Sequence, residues 1–192
     1  MTELEKYIHG YFGVNPDELE KIIAFFTPVT IKKGEYFLKT GRHSDRLGFV
    51  QAGIIREFVL VEGKEITKFI STTGYFTVDL ASFVFQQPAR WNIQALTDSE
   101  LFVINHKDYQ RIGRVVPRWA ELEKLFLAKC FAVLEERILN LLSMTSEERY
   151  NQLLHFNADL FNLVPLQYLA SMLGMTPETL SRIRKKVTGK TS

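Results

Sequence analysis

Residues 164–187 read VPLQYLASMLGMTPETLSRIRKKV, and this stretch predicts two short helices joined by a tight turn. Gly174 follows the first apolar segment, where the connection needs a residue that tolerates a positive φ. Thr176 and Pro177 come next, and a hydroxyl N-cap followed by proline at the first helical position is a strong signal for a helix start. The apolar face of the first helix consists of Leu166, Leu169, Ala170 and Leu173.

The second helix of this stretch separates apolar from polar residues. Leu180, Ile183 and Val187 recur at helical spacing and form its inner face, so the remaining side chains point outward. A helix that presents polar and basic side chains in this way fits the major groove of DNA. An ordinary surface hairpin with a basic second helix is the alternative. The spacing of Ala170, Gly174, Thr176-Pro177 and Leu180 is that of a helix-turn-helix and favours DNA binding. The candidate DNA-binding residues are Thr176, Glu178, Thr179, Ser181, Arg182, Lys185 and Lys186.

Composition and charge indicate a globular protein of one large or two small domains. The chain has 192 residues, of which 46% are hydrophobic, and a net charge of +2. Residues 161–192 carry five basic residues and one acidic residue, a distribution typical of a local DNA-binding module. The single cysteine, Cys130, excludes an intramolecular disulfide and any metal site built from cysteines alone. Because the sequence shows neither a signal peptide nor an apolar run of membrane length, we expect a cytoplasmic protein without membrane contact.

Residues 28–108 predict an all-β domain. Short segments rich in Val, Ile, Phe and Thr alternate with turn residues, which indicates an antiparallel sandwich, roll or barrel of about eight strands. Residues 54–70 form the clearest hairpin, with its turn at Gly63. We expect no helix within this domain, and short helices in residues 1–27 before it.

A long helix is expected from Pro117 to about residue 142. Its apolar residues form two stripes, and a helix that is apolar on more than one face must be covered on more than one side. The β-domain covers one side, so we expect the same helix of a second subunit to cover the other, in a coiled-coil-like homodimer through residues 117–142. Alternatively, the C-terminal domain folds back over this helix. A further helix begins at Thr145, with Glu148 completing a capping box. The two stripes are Trp119, Leu122, Phe126 and Val133, and Leu127, Phe131, Leu134, Ile138 and Leu141.

The order of β-roll, long helix and helix-turn-helix resembles that of the Crp–Fnr family of bacterial transcription regulators. The resemblance is strongest at residues 169–183, where Glu178-Thr179 and Arg182 match the family's recognition-helix pattern. Residues 147–150, which read Glu-Glu-Arg-Tyr, look like a branch common in Bacteroidetes-type bacteria. The β-domain resembles the family's cyclic-nucleotide-binding fold, with turn glycines at Gly41, Gly53 and Gly74.

The resemblance implies an α+β fold in three parts. An N-terminal antiparallel β-roll of the cyclic-nucleotide-binding type, with its N-terminal helices, occupies residues 1–113 as an effector domain. A dimerisation helix and hinge follow at 114–142, and a C-terminal helix-turn-helix domain follows at 143–192. The few residues after Val187 leave little or no wing. The resemblance also implies a homodimer bound to double-stranded DNA, with RNA polymerase as a further candidate partner.

Two residues of the second helix are candidates for reading bases. In the family, a Glu and an Arg of the recognition helix contact base edges, and Glu178 and Arg182 occupy these positions. An arginine can donate two hydrogen bonds to guanine, and a glutamate can accept one from cytosine. The two residues are also i, i+4 partners that can hold each other's side chains, although a simple surface ion pair is the alternative. The candidates for phosphate contacts are Thr176, Thr179, Lys185 and Lys186.

The ligand site of the β-domain departs from the family pattern. Nucleotide-binding members hold the phosphate with an Arg-Ser pair and the ribose with a Glu that follows a Gly. A gapless alignment of residues 74–95 places Val78-Asp79 and Ala89-Arg90 at these positions. Loss of the arginine removes the main charge-assisted contact to the phosphate, so we do not expect cyclic AMP binding. The effector stays open, no cofactor is expected, and Asp79 and Arg90 are the candidate pocket residues.

An enzyme and a protein-contact module are the competing functions. A metal-dependent β-roll enzyme needs clustered histidines and a carboxylate, and the four histidines of this chain are scattered. We therefore expect neither a metal site nor catalysis. The second competitor is a cyclic-nucleotide- or small-ligand-binding module that acts through protein contacts. The positive charge on the outward face of the second helix argues against it.

Overall fold

The computed structural model describes residues 1–188. The expected lack of a wing concerns the residues after Val187, of which 189–192 lie outside the described residues. Contacts within the chain divide it into two compact units. Unit 1 comprises Met1–Val59 and Phe69–Leu127, and unit 2 comprises Leu60–Lys68 and the residues from Ala128 onward.

Two short helices begin unit 1, as the sequence predicts. Helix α1 spans Glu3–Phe12 and helix α2 spans Pro16–Ile23. Each begins with a capping box, in which the side chain of the N-cap residue accepts a hydrogen bond from the backbone of a glutamate three residues later. The glutamate side chain in turn accepts the backbone N–H of the cap, so both helix starts are satisfied locally.

Eight strands form the β-domain and confirm the predicted strand number. They are β1 (Thr27–Ile31), β2 (Tyr36–Leu38), β3 (Arg46–Ala52), β4 (Ile55–Val61), β5 (Lys64–Ser71), β6 (Phe76–Thr77), β7 (Asn92–Ala95) and β8 (Ser99–Asn105). One four-stranded sheet has the order β1-β8-β3-β6 and the other has the order β2-β7-β4-β5. Side chains of both sheets share one apolar core inside the roll, which includes Val50, Ile55, Ile93 and Leu101.

The predicted hairpin joins β4 to β5. Its two connecting residues, Glu62 and Gly63, have φ angles of 49° and 77°. Positive φ at both positions is typical of the two-residue loops that match the twist of a hairpin. The tip of this hairpin, Leu60–Lys68, belongs to unit 2, although the rest of both strands belongs to unit 1.

The expectation of no helix within residues 28–108 is wrong at Leu80–Phe85, which forms helix α3. Asp79 precedes this helix, and its carboxylate accepts the backbone N–H of Ser82 at 3.1 Å. A helix of six residues is too short to produce a helical period in the sequence, so periodicity could not reveal it. Helix α4 (His106–Arg111) and a 3₁₀ turn (Ile112–Arg114) follow β8.

The remaining helices follow the predicted order. Helix α5 spans Trp119–Ser143 and runs from unit 1 into unit 2. The capping box of Thr145 and Glu148 opens the next helix as predicted. Among residues 1–188, no helix combines the length and hydropathy that crossing a bilayer requires. The helices after α5 are α6 (Ser146–Phe156), α7 (Leu160–Leu163), α8 (Leu166–Met172) and α9 (Pro177–Thr188).

Candidate functional site

The connection between α8 and α9 has the geometry that the sequence predicts. Gly174 has a φ of +65°, and the N–H groups of Gly174 and Met175 donate to the carbonyls of Ser171 and Ala170 at 3.1 and 3.0 Å. This pair of bonds is a Schellman motif, which satisfies the last carbonyls of α8. A Cβ at residue 174 would lie 2.9 Å from Cδ2 of Leu141, so both the backbone and the packing favour glycine.

Helix α9 begins at the predicted cap. The Thr176 hydroxyl accepts the backbone N–H of Thr179 at 3.2 Å, and Pro177 is the first helical residue. Leu180 and Ile183 are buried on the inner face of α9. The helix pair is therefore packed through its apolar residues, and the cap fixes where α9 starts.

The outer face of α9 carries most of the candidate DNA-binding residues. Thr179 and Ser181 are partly buried, whereas the other five are exposed. Within residues 1–188, no ion pair joins Glu178 to Arg182, so the expected mutual support of these side chains is not observed. Hydrogen bonds from its own backbone N–H and from the Thr176 hydroxyl lower the pKa of Glu178. The exposed candidates are Thr176, Glu178, Arg182, Lys185 and Lys186.

Lys186 contacts an acidic residue of a neighbouring helix. Its Nζ lies 2.6 Å from Oε2 of Glu147 in the first turn of α6. Both side chains are partly exposed, so the pair is a surface ion pair of small stability. A phosphate contact by Lys186 would compete with Glu147 for the ammonium group.

Two arginines that sequence reasoning did not single out hold the C-terminus of α8. Nη2 of Arg137, in α5, donates to the carbonyl of Met172 at 2.5 Å, and Nε of Arg149, in α6, donates to the carbonyl of Leu173 at 2.8 Å. Cations at the C-terminus of a helix are favoured by its dipole. Burial lowers the pKa of Arg137. No local sequence pattern indicates these contacts, because the donors and acceptors lie 35 and 24 residues apart.

The hairpin tip forms a further contact with α8 within unit 2. The backbone N–H of Thr67 donates to Oγ of Ser171 at 2.9 Å, and the Ser171 hydroxyl donates to the carbonyl of Glu65 at 3.4 Å. One serine of α8 therefore bridges two backbone groups of β5.

The candidate pocket residues Asp79 and Arg90 meet through the backbone. Asp79 is 4% exposed, and Oδ2 of its carboxylate accepts the backbone N–H of Arg90 at 2.7 Å and that of Trp91 at 3.2 Å. With the Ser82 bond, this carboxylate accepts three backbone N–H groups. The Arg90 side chain is exposed. An effector that used Asp79 as a ligand would have to replace these bonds.

The interior of the β-roll carries a second acid. Glu57, on β4, is 4% exposed, and its Oε1 accepts the hydroxyl of Thr77 at 3.1 Å. Ala89, which stands where the family pattern places an arginine, is buried in the core of the roll. Arg56, the residue before Glu57 on β4, is 0% exposed, so the β-domain buries a basic side chain beside this acid. Within the described part of the chain, no cluster of His, Cys, Asp and Glu is arranged to hold a metal ion.

Residues 28–114 match the family model of the cyclic nucleotide-binding domain. The β-roll therefore has the cyclic nucleotide-binding fold. This domain contains α3, α4 and nearly the whole of the two sheets, so Asp79, Ala89 and Arg90 lie inside it. No curated protein sequence matches the chain.

The chain is also similar to solved structures of bacterial proteins. The catabolite activator protein of Thermus thermophilus aligns with a TM-score of 0.59 and 22% identity, over 96% of this chain and 87% of that protein. FixK2 of Bradyrhizobium japonicum aligns with a TM-score of 0.70 and 16% identity, over 86% and 85%. The c-di-GMP-responsive global regulator CLP of Xanthomonas campestris aligns with a TM-score of 0.68 and 17% identity, over 92% and 93%. At these identities the similarity establishes the fold, a β-roll followed by a long helix and C-terminal helices.

Proposed function

We propose that the protein is a homodimeric, DNA-binding transcription regulator of the Crp–Fnr type that reads DNA with residues 176–187. The observation that carries this proposal is the division of α9 into a buried face, with Leu180 and Ile183, and an exposed face with Glu178 and Arg182. A capped helix held rigidly by its inner face can enter a major groove without rearrangement. As part of the same proposal, we place the chain in the Bacteroidetes-type branch and in the cytoplasm, and we assign it no catalytic activity.

The proposed dimer forms through residues 117–142. On α5, five apolar residues recur at alternating spacings of four and three, which is the seam spacing of a coiled coil. The exposed fractions of these side chains support a second subunit that buries them, because a stripe of apolar side chains exposed to water does not stabilise a lone helix. They are Leu127 (37%), Phe131 (62%), Leu134 (44%), Ile138 (56%) and Leu141 (41%).

In this proposal the three parts have separate roles. Residues 1–113 sense an effector, residues 114–142 pair the subunits, and residues 143–192 bind DNA. An effector, or the ligand-free state, would set the orientation of the two reading helices and so match or miss the half-site spacing. RNA polymerase is a further proposed partner.

The proposed effector is not cyclic AMP. The Asp79 carboxylate already accepts the N–H groups of Arg90 and Trp91, and Ala89 replaces the arginine of the family pattern. Without an arginine at residue 89, the main charge-assisted contact to a cyclic phosphate is lost.

Selection of bound sequences from a random duplex pool, with and without cyclic AMP, tests the proposal. A palindromic site enriched equally in both selections is expected, because one reading helix per subunit gives a two-fold symmetric site. Enrichment that requires cyclic AMP would overturn the effector assignment. If neither selection enriches a site and binding to a protein partner ignores salt, the module that acts through protein contacts is the better interpretation.

Two substitutions separate base reading from phosphate contact. We expect Arg182→Ala to weaken binding to the selected site by about 1–3 kcal/mol and to relax the base preference at one position. Lys185→Ala should weaken binding to selected and random duplexes alike. Titrations at fixed salt measure both effects. Equal losses on both duplexes for Arg182→Ala would refute its assignment to base reading.

A further inference from the structure

An apolar cavity, partly open to solvent, lies in unit 1 on the face of the β3–β6 sheet that points away from the roll interior. Leu47 and Phe76 form its floor on this sheet, and four helical segments cover it. Its volume is about 40 Å³. The residues that line it are Ile8 and Phe12 from α1, Ile22 and Phe26 from α2 and the residues after it, Leu47, Phe76, Tyr109 from α4, and Trp119, Leu122 and Phe126 from α5.

The lining decides which molecules the cavity can hold. All ten side chains are aliphatic or aromatic, so the cavity does not offer the two to four polar partners that a buried water needs. Protein interiors are close-packed, and voids larger than a water molecule are few. An apolar pocket of this kind therefore favours apolar solutes over polar ones.

The volume limits the size of the occupant. It exceeds the roughly 10–15 Å³ that a site needs to hold one water and is well below the roughly 150 Å³ of a cavity that holds benzene. Phe12, Phe26 and Trp119 are partly exposed, so an occupant reaches the cavity from solvent past these side chains. A charged or hydrogen-bonding ligand would lose its hydration without compensation here.

We propose that this cavity is a binding site for a small, uncharged apolar molecule of a few atoms, such as a dissolved gas. Trp119, Leu122 and Phe126 belong to the first two turns of α5, so an occupant packs directly against the start of the long helix. The role of the occupant rests on the proposed function, in which α5 pairs the subunits. The cavity is then the effector site of the sensor domain. This site is separate from the nucleotide region around Asp79 and does not depend on it.

Xenon is the probe, and the full-length protein is the sample. We expect a saturable change in the xenon NMR chemical shift, together with a saturable change in the fluorescence of Trp119 in a Trp91→Phe background. Leu122→Phe, which fills the cavity, should abolish both signals. Leu125→Phe is the matched control, since the same substitution lies three residues away on a residue that is 46% exposed, and it should leave both signals unchanged.

A third variant keeps the test decisive if Leu122→Phe does not fold. Leu122→Ala enlarges the cavity and should gain saturable benzene binding that the unmodified protein lacks. A linear, non-saturable xenon response, or the same response in Leu122→Phe, would overturn the site. Xenon pressure should also shift the affinity for the selected duplex in the unmodified protein and not in Leu122→Phe. Saturable xenon binding with unchanged DNA affinity would overturn the effector role and leave the DNA-binding proposal intact.

Discussion

Phe131→Ala tests the proposed dimer most directly. Phe131 lies on α5 and, at 62% exposed, is the most exposed residue of the apolar stripe. Because fully burying a Phe side chain contributes about 1.5–3 kcal/mol, burying its exposed part in a helix seam would contribute about 1–2 kcal/mol per subunit. In a two-fold symmetric interface the residue counts twice, so the substitution should cost about 2–4 kcal/mol. The dimer dissociation constant should therefore rise roughly 30- to 900-fold.

Sedimentation velocity over a concentration series measures this constant. The control is Phe85→Ala on α3, where the side chain is 73% exposed but does not belong to the α5 stripe. We expect Phe85→Ala to leave the dissociation constant unchanged and circular dichroism to show the same helix content in both variants. A protein that sediments as a monomer at every concentration, or a Phe131→Ala variant that dimerises as tightly as the control, would refute the dimer seam.

Three further substitutions test single contacts, one within unit 1 and two within unit 2. Asp79→Ala removes the acceptor of three backbone N–H groups from a buried site and should lower the free energy of unfolding, measured with urea, by about 3–5 kcal/mol. The control is Asp45→Ala, where the carboxylate is 82% exposed, and it should change this free energy by less than about 0.5 kcal/mol. Arg137→Ala removes the donor to the last turn of α8 and should cost about 1–2 kcal/mol in the same assay, and no loss would show that the bond does not hold α8. Glu147→Gln removes the negative charge that pairs with Lys186, so the slope of log K for DNA binding against log salt concentration should steepen by about one phosphate contact. An unchanged slope would argue against a phosphate contact by Lys186.

The sequence predicts those elements whose signals are local. The apolar period of α8, the cap at Thr176 and the positive φ at Gly174 all lie within a few residues of the feature that they specify. The same holds for the hairpin turn at Glu62 and Gly63, where both residues have positive φ. Local signals do not predict helix α3, because it has only six residues. Its start is fixed by Asp79, whose carboxylate also accepts backbone N–H groups eleven and twelve residues later.

Side-chain partners are harder to predict than elements. The i, i+4 spacing of Glu178 and Arg182 allows a mutual ion pair, but the Glu178 carboxylate interacts with its own backbone N–H and with Thr176 at the helix start. Both arrangements suit an acid in the first turn of a helix, and the N-terminal dipole favours the second. Spacing therefore identifies which residues can interact and leaves the choice between competing donors to the folded geometry.

The contacts of α8 explain how the orientation of α9 is fixed. With seven residues, α8 is too short to be stable without tertiary contacts. Within unit 2, Arg137 and Arg149 hold its last carbonyls, and Ser171 binds the hairpin tip. The tight turn at Gly174 then leaves α9 little freedom relative to α8. Any movement of α5 or of the hairpin that reaches Arg137 or Ser171 must therefore either break these hydrogen bonds or carry α9 with it.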